Sequence, residues 1–322
     1  MEYVGRGRAK LLLFGEHAAV YGYPAVGLSL EARLRVRLRH AGNKQWNLRG
    51  VSEEDQGKIH EVLALLEEEC VSGGKAKVGG GVLELESNIP RGLGFGSSAS
   101  LCVALASALA SVNAITDSTT IWQWAHRAEQ LFHGTPSGID TGLALLDGLY
   151  RFRPDPPNLP SAERLDAPPL HLVVGAVPRR DSAGRLIAAL RRRVTAGEPK
   201  AGGILRRLGE LADRAAGILK SPAGSESGLF AAQLGELARE AQEQLHFLDL
   251  STPELERHLV EGRKCGALGG KLSGAGGGGA FFLVCRDSES THGVAEALKL
   301  LSVSEGLSTA DSIYPITWQP GV

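Results

Sequence analysis

Cysteine and aromatic residues are scarce in this 322-residue chain, and its net charge is close to zero. The four cysteines form no CxxC pair and are too few for a disulfide framework, which favours free thiols in a reducing cytoplasm. Aromatic residues make up 5% of the chain, and 35 Lys and Arg residues against 36 Asp and Glu residues give a net charge of −1. Such a composition is not typical of a protein that binds nucleic acid or a membrane surface.

Long apolar runs are missing as well. Near the N-terminus, only residues 11–14 form an unbroken apolar run, which is too short for the hydrophobic core of a signal peptide. Residues 92–116 carry no charge and reach the length of a membrane span, but their many serines and alanines favour a buried core helix. We therefore expect a cytoplasmic protein without a membrane partner.

Glycine, by contrast, is abundant, with 42 residues that fall largely into clusters. Ordinary chains contain roughly 7% glycine, so this chain has about twice the usual share. Because the glycines are not periodic, a collagen-like chain is excluded. Clustered glycine lets the backbone come close to another group, which makes the clusters candidate binding sites.

The patterns of apolar residues predict an α+β protein with two domains. Predicted strands cover residues 9–14, 25–30, 33–39, 82–85, 171–177 and 280–285. Predicted helices cover residues 57–69, 97–112, 119–132, 182–195, 201–219, 228–246 and 253–264, and another begins near residue 139. Six prolines within residues 153–169 mark the best candidate for a boundary, so we expect domains at 1–165 and 166–322.

The strongest local motif is PRGLGFGSSA, in which three alternating glycines precede a helix that opens with two serines. The backbone amides of such a loop, together with the first turn of a helix, can bind phosphate. A serine there either caps the helix or offers its hydroxyl to Mg²⁺. The motif is not a Walker A loop, and it lacks the spacing of a dinucleotide-binding loop. The predicted nucleotide-binding residues are Pro90, Arg91, Gly92, Leu93, Gly94, Phe95, Gly96, Ser97, Ser98 and Ala99.

A second glycine cluster, KLSGAGGGG at residues 271–279, leads into the predicted strand 280–285. Four consecutive glycines beside a core strand are costly in backbone entropy, and a linker would more often lie between domains. The cluster therefore indicates a close approach of the backbone to a ligand or to another loop.

Asp140 follows the tight turn HGTPSG at residues 133–138. One interpretation is a capping box with Ser137; the other is a carboxylate that orients or deprotonates a substrate hydroxyl. A carboxylate near a helix N-terminus and a lysine should be a weak base. Orienting the substrate hydroxyl should therefore matter more than removing its proton. Lys10, at the first predicted strand, either solvates a strand edge or directs its charge at an internal site, and Glu16 and His17 in the next turn leave the same choice open.

Glu129 lies near the end of the predicted helix 119–132, where a lone glutamate is often solvated. It shares one helix face with His126 and His133, and such a face could carry a metal ion. Because the spacing is not HExxH, a zinc hydrolase is only weakly indicated. A glutamate that holds Mg²⁺ beside the phosphates of ATP is the better interpretation.

Taken together, these motifs resemble those of the GHMP kinases, in the family's order and across nearly the whole chain. RAKLLLFGEHAAVYGYPAV at residues 8–26 resembles the first family motif, residues 90–99 resemble the ATP loop, and residues 271–279 resemble the third motif. The first motif and HGTPSGID at residues 133–140 are most similar to the mevalonate kinase branch of the family, as is the segment 248–255.

The resemblance implies a two-domain GHMP kinase fold, with a ribosomal protein S5 domain 2-like N-terminal domain and a ferredoxin-like C-terminal domain. It also implies an active site in the cleft between them. The implied reaction is the ATP-dependent phosphorylation of the 5-hydroxyl of mevalonate, a step in isoprenoid and hence lipid synthesis, with Mg²⁺ as the cofactor. Relatives are often dimers, so a homodimer is an open expectation.

Carried onto the matching positions, the resemblance implies that Ser98 and Glu129 hold Mg²⁺. Asp140 would be the base or the orienting carboxylate, with Lys10 as its charge partner. The residues implied to bind substrate are Glu16, His17, Ser137 and Gly276.

Three positions depart from the family pattern. Phe95 stands where the loop usually has leucine, Thr141 stands where many relatives have asparagine, and residues 177–182 match a substrate segment only loosely. The last departure leaves another small alcohol (a sugar, homoserine or phosphomevalonate) as an alternative substrate. Two further classes stay open: a non-catalytic sensor that keeps the ATP pocket, and a zinc hydrolase built on His126, Glu129 and His133.

Overall fold

The computed structural model describes residues 1–43, 45–75, 78–220 and 227–320, and it confirms the predicted α+β class. The strands are β1 Glu2–Phe14, β2 Ala25–Asn43, β3 Asn47–Arg49, β4 Gly80–Ser87, β5 Leu149–Asp155, β6 Asn158–Arg164, β7 Leu170–Val177, β8 Gly269–Leu272, β9 Gly279–Val284 and β10 Tyr314–Trp318. The helices are α1 Glu53–Ser72, α2 Ser97–Val112, α3 Ser118–His133, α4 Ile139–Leu145, α5 Ala183–Thr195, α6 Pro199–Leu219, α7 Ser227–Phe247, α8 Pro253–Lys264 and α9 Ser288–Ser304.

The chain forms two compact units, and it passes between them more than once. The segments of the first unit are Met1–Lys10, Ser29–Ile89 and Gly96–Asp147. The segments of the second unit are Leu11–Leu28, Pro90–Phe95 and Gly148–Val322. The boundary between residues 165 and 166 that the sequence favours stays a prediction.

In the first unit, β4 pairs antiparallel with β2 and parallel with β3. Helix α2 packs against α1, α3 and α4, and most of its residues are fully buried, which confirms a core helix within residues 92–116. Glycines allow strand β1 to run close against α2. A Cβ on Gly5 would lie 1.8 Å from the carbonyl oxygen of Ala104, and a Cβ on Gly7 would lie 2.0 Å from that of Ser100. This approach brings Lys10 to the start of α2.

In the second unit, four antiparallel strands form a sheet in the order β10-β7-β9-β8. Numbered within this sheet, the order is 4-1-3-2, and helices lie between its first and second and between its third and fourth strands. This is the connectivity of the ferredoxin-like fold, as the resemblance implies. The start of β2 also belongs to this unit, where Ala25–Leu28 pairs with β5 and β5 pairs with β6.

Several elements differ from the sequence predictions. The two strands predicted at 25–30 and 33–39 form one continuous strand, β2. The proline-rich segment forms the end of β5 and all of β6, a hairpin rather than a linker. Pro156 and Pro157 lie at the turn, and Pro154 and Pro160 lie where the register of β5 with the edge strand β6 is irregular, a place where sheets tolerate proline. Strands β3, β5, β6, β8 and β10 and helix α9 were not predicted.

Among the described residues, no helix combines the length and the apolar character that a membrane span requires.

Candidate active site

Lys10 and Asp140 form an ion pair in the first unit, with 3.1 Å between Nζ and Oδ1. The lysine side chain is 4% exposed, whereas the carboxylate is 39% exposed. The buried ammonium thus fixes one oxygen of a carboxylate that a ligand can still reach. Of the two interpretations of Lys10, the structure shows the charge directed at an internal site.

Gly96 allows this pair to form. It is the N-cap of α2 with φ 79°, in the left-handed region, and no side chain caps the helix. A Cβ on Gly96 would lie 2.7 Å from Cγ of Lys10, so a larger residue would displace the lysine. The alternative in which a serine caps the helix is not formed, and the amides of the first turn lack a side-chain cap.

Ser98, in the first turn of α2, contacts His133 at the end of α3, with 3.1 Å between Oγ and Nε2. Both side chains lie near the surface, so the hydroxyl is accessible. The predicted metal ligand therefore faces a histidine that the HGTPSGID motif supplies, in the same unit as Lys10 and Asp140.

Glu129 on α3 is almost completely buried, at 1% exposure, and its Oε2 has no hydrogen-bond partner. Burial, reinforced by the negative charge of Asp140, raises the pKa of Glu129 to about 8, although Lys10 opposes the shift. A solvated surface glutamate, the first interpretation of this residue, is therefore wrong. A buried carboxylate with an unsatisfied oxygen is a group whose charge another cation can stabilise.

The start of α4 is held from behind by Trp122 of α3. Its Nε1 donates to the carbonyl of Gly138 at 3.0 Å and lies 3.2 Å from Oγ1 of Thr141. Gly138 is the N-cap of α4, without a side-chain cap, so the predicted alternative of a capping box with Ser137 is not formed. Thr141, one of the departures from the family pattern, is fully buried and orients the turn that carries Asp140.

The histidine pair that suggested a zinc hydrolase does not form a metal site with Glu129. Nδ1 of His126 is buried without a hydrogen-bond partner, whereas His133 contacts Ser98. Within the described ranges, no group of three or more His, Cys, Asp or Glu side chains could hold a metal ion.

The second unit contains the first part of the predicted nucleotide loop, Pro90–Phe95. Phe95 is 1% exposed, so the departure from leucine fills a core position. Gly92 has open space around it, whereas a Cβ on Gly94 would lie 2.8 Å from Nη2 of Arg179. One side of the loop is therefore open and the other packs on an arginine.

The first and third motifs are joined by three side-chain contacts in the second unit. Oγ of Ser273 accepts from the backbone amide of Leu12 at 3.0 Å. Nε2 of His17 lies 3.0 Å from the carbonyl oxygen of Ala275. The ammonium of Lys271 donates to the carboxylate of Glu16.

The ion pair of Lys271 and Glu16 is completely buried, with both side chains 0% exposed. The ammonium also donates to the carbonyl oxygen of Leu272, and it lies 5.8 Å and 5.4 Å from the ring centroids of Phe14 and Phe282. Burial lowers the pKa of Lys271, and the charge of Glu16 opposes the shift. Both residues are out of a ligand's reach in this conformation.

His17 is partly exposed and has φ 58°, which is uncommon for a residue other than glycine. Burial lowers the pKa of His17 to about 4; the Ala275 carbonyl opposes the shift, and the charge of Lys271 adds to it. The ring is therefore neutral at pH 7.

The glycine cluster of the third motif packs against other loops of its own unit. A Cβ on Gly276 would lie 2.3 Å from the carbonyl oxygen of Leu250, and one on Gly278 would lie 2.2 Å from that of Pro178. The amide of Gly277 donates to the carbonyl of Leu250 at 2.8 Å. Of the two interpretations of the cluster, the structure shows the approach to another loop.

The predicted site residues thus fall into two groups. One unit holds Lys10, Ser98, Glu129, Ser137 and Asp140, and the other holds Glu16, His17 and Gly276. Their roles in catalysis and binding stay predictions. Sequence reasoning assigned no role to Lys271, Ser273 or Trp122, although one signal for Lys271 was present: a single charge in a segment of glycine and apolar residues.

Family models match both halves of the chain: GHMP kinases N terminal domain at residues 58–148 and GHMP kinases C terminal at residues 228–301. A mevalonate kinase of Pyrococcus abyssi is 32% identical over 313 residues, which cover 91% of this chain and 90% of the relative. A mevalonate kinase of Archaeoglobus fulgidus is 30% identical, with 85% and 89% covered.

Solved structures have the same fold. The mevalonate kinase of L. major in complex with R-mevalonate matches with a TM-score of 0.79 and 22% identity, over 100% of this chain and 97% of that chain. The Methanococcus jannaschii mevalonate kinase matches with a TM-score of 0.73 and 20% identity, over 98% and 97%. The chain therefore belongs to the GHMP kinases, and within them to the mevalonate kinase family.

Proposed function

We propose that this protein transfers the γ-phosphoryl group of ATP to the 5-hydroxyl of mevalonate. The hydroxyl oxygen forms a bond to the γ-phosphorus, the bond between that phosphorus and the β,γ-bridging oxygen breaks, and ADP leaves. The hydroxyl proton is released to a carboxylate or to water. The identity and coverage of the mevalonate kinase relatives support the substrate.

The observation that carries the chemistry is the ion pair of Lys10 and Asp140, in which a buried ammonium holds a carboxylate that is still 39% exposed. Asp140 accepts the hydrogen bond of the substrate hydroxyl and directs its lone pair toward phosphorus. Lys10 keeps Asp140 in place and adds positive charge where the transferred phosphoryl group is negative. Positioning and charge neutralisation are the main contributions that phosphoryl transfer requires.

The phosphates of ATP bind at the start of α2. The helix begins at Gly96 without a side-chain cap, so its first amides are available to an anion, and the helix dipole favours negative charge there. Gly92, which has open space around it, lies in the preceding loop. Residues 90–99 thus provide main-chain donors for the phosphates.

The residues present fit a magnesium ion. Glu129 has a buried carboxylate oxygen without a partner, and Ser98 has an accessible hydroxyl; carboxylate and hydroxyl oxygens are the hard ligands that Mg²⁺ prefers. Bound there, Mg²⁺ would neutralise charge on the phosphates of ATP. His17, Ser137 and Gly276 are assigned to the substrate side by the family pattern. Glu16, which the same pattern assigns there, is completely buried against Lys271, so it supports the site through the backbone and does not contact substrate itself. We further propose that the protein acts in the cytoplasm, as a homodimer, in isoprenoid synthesis.

A panel of alcohols tests the substrate. The purified protein is incubated with ATP, Mg²⁺ and one of mevalonate, phosphomevalonate, galactose or homoserine, and ADP release is measured. We expect turnover with mevalonate, and phosphorus NMR of the product should show a phosphate coupled to the C5 protons. Turnover with another alcohol and none with mevalonate would show that mevalonate is not the substrate. Normal ATP binding without turnover of any alcohol would support the sensor alternative.

A further inference from the structure

We propose that Lys271 is a positioning residue for the active site. Its buried ion pair with Glu16 locks the turn of the first motif onto the loop of the third motif, and thereby presents His17 as a neutral ring with its proton on Nε2. The kinetic part of this inference rests on the proposed function, whereas the state of His17 can be tested without it.

Burial excludes a direct role for Lys271. Its side chain and that of Glu16 are both 0% exposed, and the ammonium is already engaged by the Glu16 carboxylate and the Leu272 carbonyl. A lysine that binds phosphate needs an accessible ammonium, so this one acts through its protein neighbours.

Stability alone is a poor reason for such a pair. Moving two charges out of water is costly, and well-packed apolar residues in place of a buried ion pair are often equally stable or more stable. Phe14 and Phe282 already surround the ammonium, so an apolar side chain would suit the same space. Apolar packing is not directional, whereas the hydrogen bond between this ammonium and this carboxylate is. The ion pair can therefore fix the relative position of the two loops, which an apolar pair could not do.

The link joins parts that are 255 residues apart in sequence. Leu272, whose carbonyl accepts from Lys271, also donates its amide to Oε1 of Gln242 at 2.9 Å, so the ammonium is anchored to backbone that is itself held. Glu16, at the other end, precedes His17 directly. The Lys271 ammonium therefore sets where the His17 backbone lies against the third-motif loop.

The contact of His17 with that loop determines its tautomer. The carbonyl oxygen of Ala275 can only accept, so Nε2, at 3.0 Å, must carry the proton. In a neutral ring the other nitrogen, Nδ1, then has a free lone pair and can accept a hydrogen bond from a ligand hydroxyl. The lowered pKa of His17, to which the charge of Lys271 contributes, is consistent with a neutral ring. His17 is thus assigned to a hydroxyl and not to a phosphate.

Four variants separate positioning from simple stabilisation: Lys271→Met, Glu16→Gln, the double variant, and Arg257→Met as the control. Arg257 lies on α8 in the same unit and pairs with Glu305 at the surface. For each variant we would measure the melting temperature, kcat and KM for mevalonate. Long-range ¹H–¹⁵N correlation spectra of ¹⁵N-histidine-labelled protein report which ring nitrogen of His17 carries the proton, with the signal assigned through His17→Asn.

Lys271→Met should melt at a lower temperature because it removes the positive charge beside the buried Glu16 carboxylate, and the double variant should recover most of that loss. Despite its recovered stability, the double variant should show KM for mevalonate raised about tenfold with kcat changed less, and a His17 signal that has lost the Nε2–H tautomer. Partial unfolding alone would lower kcat and leave KM unchanged, so the KM change distinguishes positioning from folding.

Two results would overturn the inference. One is a double variant with the melting temperature, KM and His17 signal of the wild type, since the pair would then be structural only. The other needs no variant: a wild-type His17 that is charged or protonated on Nδ1 at pH 7. If the wild type has no activity with mevalonate, the proposed function fails, but the spectra of the wild type and the double variant still decide the role of Lys271.

Discussion

The protein contains two lysine–carboxylate pairs that share their chemistry and differ in exposure. In the pair of Lys10 and Asp140, the lysine is 4% exposed and the carboxylate 39%. In the pair of Lys271 and Glu16, both side chains are 0% exposed. Each pair includes a residue of the first sequence motif, and these two residues, Lys10 and Glu16, lie six positions apart.

The difference indicates two tasks for the same interaction. A carboxylate that is fixed by a buried ammonium on one side and open on the other can contact a substrate without moving. A pair enclosed on all sides can only hold its own backbone segments together. Breaking the open pair should therefore reduce activity more than stability, and breaking the closed pair should do the reverse.

Asp140→Asn should have the largest effect on activity. The amide keeps the size of the side chain but removes the charge that orients the substrate hydroxyl and pairs with Lys10, so kcat should fall by about 10³-fold. The free energy of unfolding should change by about 1 kcal/mol or less, because Asp140 is 39% exposed. Steady-state kinetics and urea denaturation measure the two quantities.

Asp147→Asn is the matched control for that experiment. Asp147 is also an exposed aspartate of the first unit and pairs with Arg8. It should retain near wild-type activity. Equal losses of activity in the two variants would show that any change of charge in this region is damaging, and would remove the special role assigned to Asp140.

Lys271→Met should have the largest effect on stability. It removes the ammonium beside the buried Glu16 carboxylate, and breaking a buried ion pair from one side typically costs about 3–5 kcal/mol. Lys10→Met leaves a carboxylate that water can reach, so its cost should be about 1 kcal/mol. Urea denaturation measures the free energy of unfolding of both variants. A lower stability for Lys10→Met than for Lys271→Met would contradict the tasks assigned to the two pairs.

Glu129→Gln sharpens the description of the open pair, since the charges of both Asp140 and Lys10 act on the pKa of Glu129. Loss of the carboxylate should raise the Mg²⁺ concentration for half-maximal activity about tenfold or more, with little change in the free energy of unfolding. Mn²⁺ binding followed by electron paramagnetic resonance gives a measure that is independent of turnover. Glu68→Gln, at an exposed position on α1, is the control and should behave as the wild type; if Glu129→Gln does too, Glu129 holds no metal.

The sequence predicted the open pair better than the closed one. Lys10 and Asp140 occur in motifs whose residue types suggest phosphoryl transfer, and the core helix α2 follows from its uncharged, alanine-rich sequence. Lys271 is the first residue of the third motif, but its neighbours in sequence do not reveal that it pairs with Glu16. A contact across 255 residues depends on the register of β8 with β9 and on the course of β1.

The missed elements have local reasons. Strand β8 consists of Gly269, Gly270, Lys271 and Leu272, and two adjacent glycines normally indicate a turn. They are required because a Cβ on Gly269 would lie 2.0 Å from the carbonyl oxygen of Gly235 on α7. Strand β6 was read as linker because proline is disfavoured in strands, and only pairing with β5 compensates for that preference. Packing partners distant in sequence therefore decided both cases.

The smallest effect concerns His17, which adjoins the closed pair, and follows from linkage. Its pKa is about 6.5 in the unfolded chain and about 4 in the folded protein, so folding favours the neutral ring. The corresponding stability is present above pH 6.5 and is lost as the pH falls toward 4. Because His17 is only partly buried, we expect about 2 kcal/mol. Protonation of carboxylates also lowers the stability of the protein in this range. The measured quantity is therefore the change in the free energy of unfolding between pH 7.5 and pH 4.5, compared between the wild type and His17→Asn by urea denaturation. Asparagine tolerates the positive φ of this position, which leaves the backbone unchanged. The wild type should lose more stability than the variant over this range; equal losses would mean that His17 titrates as in the unfolded chain, and that the closed pair does not shield it.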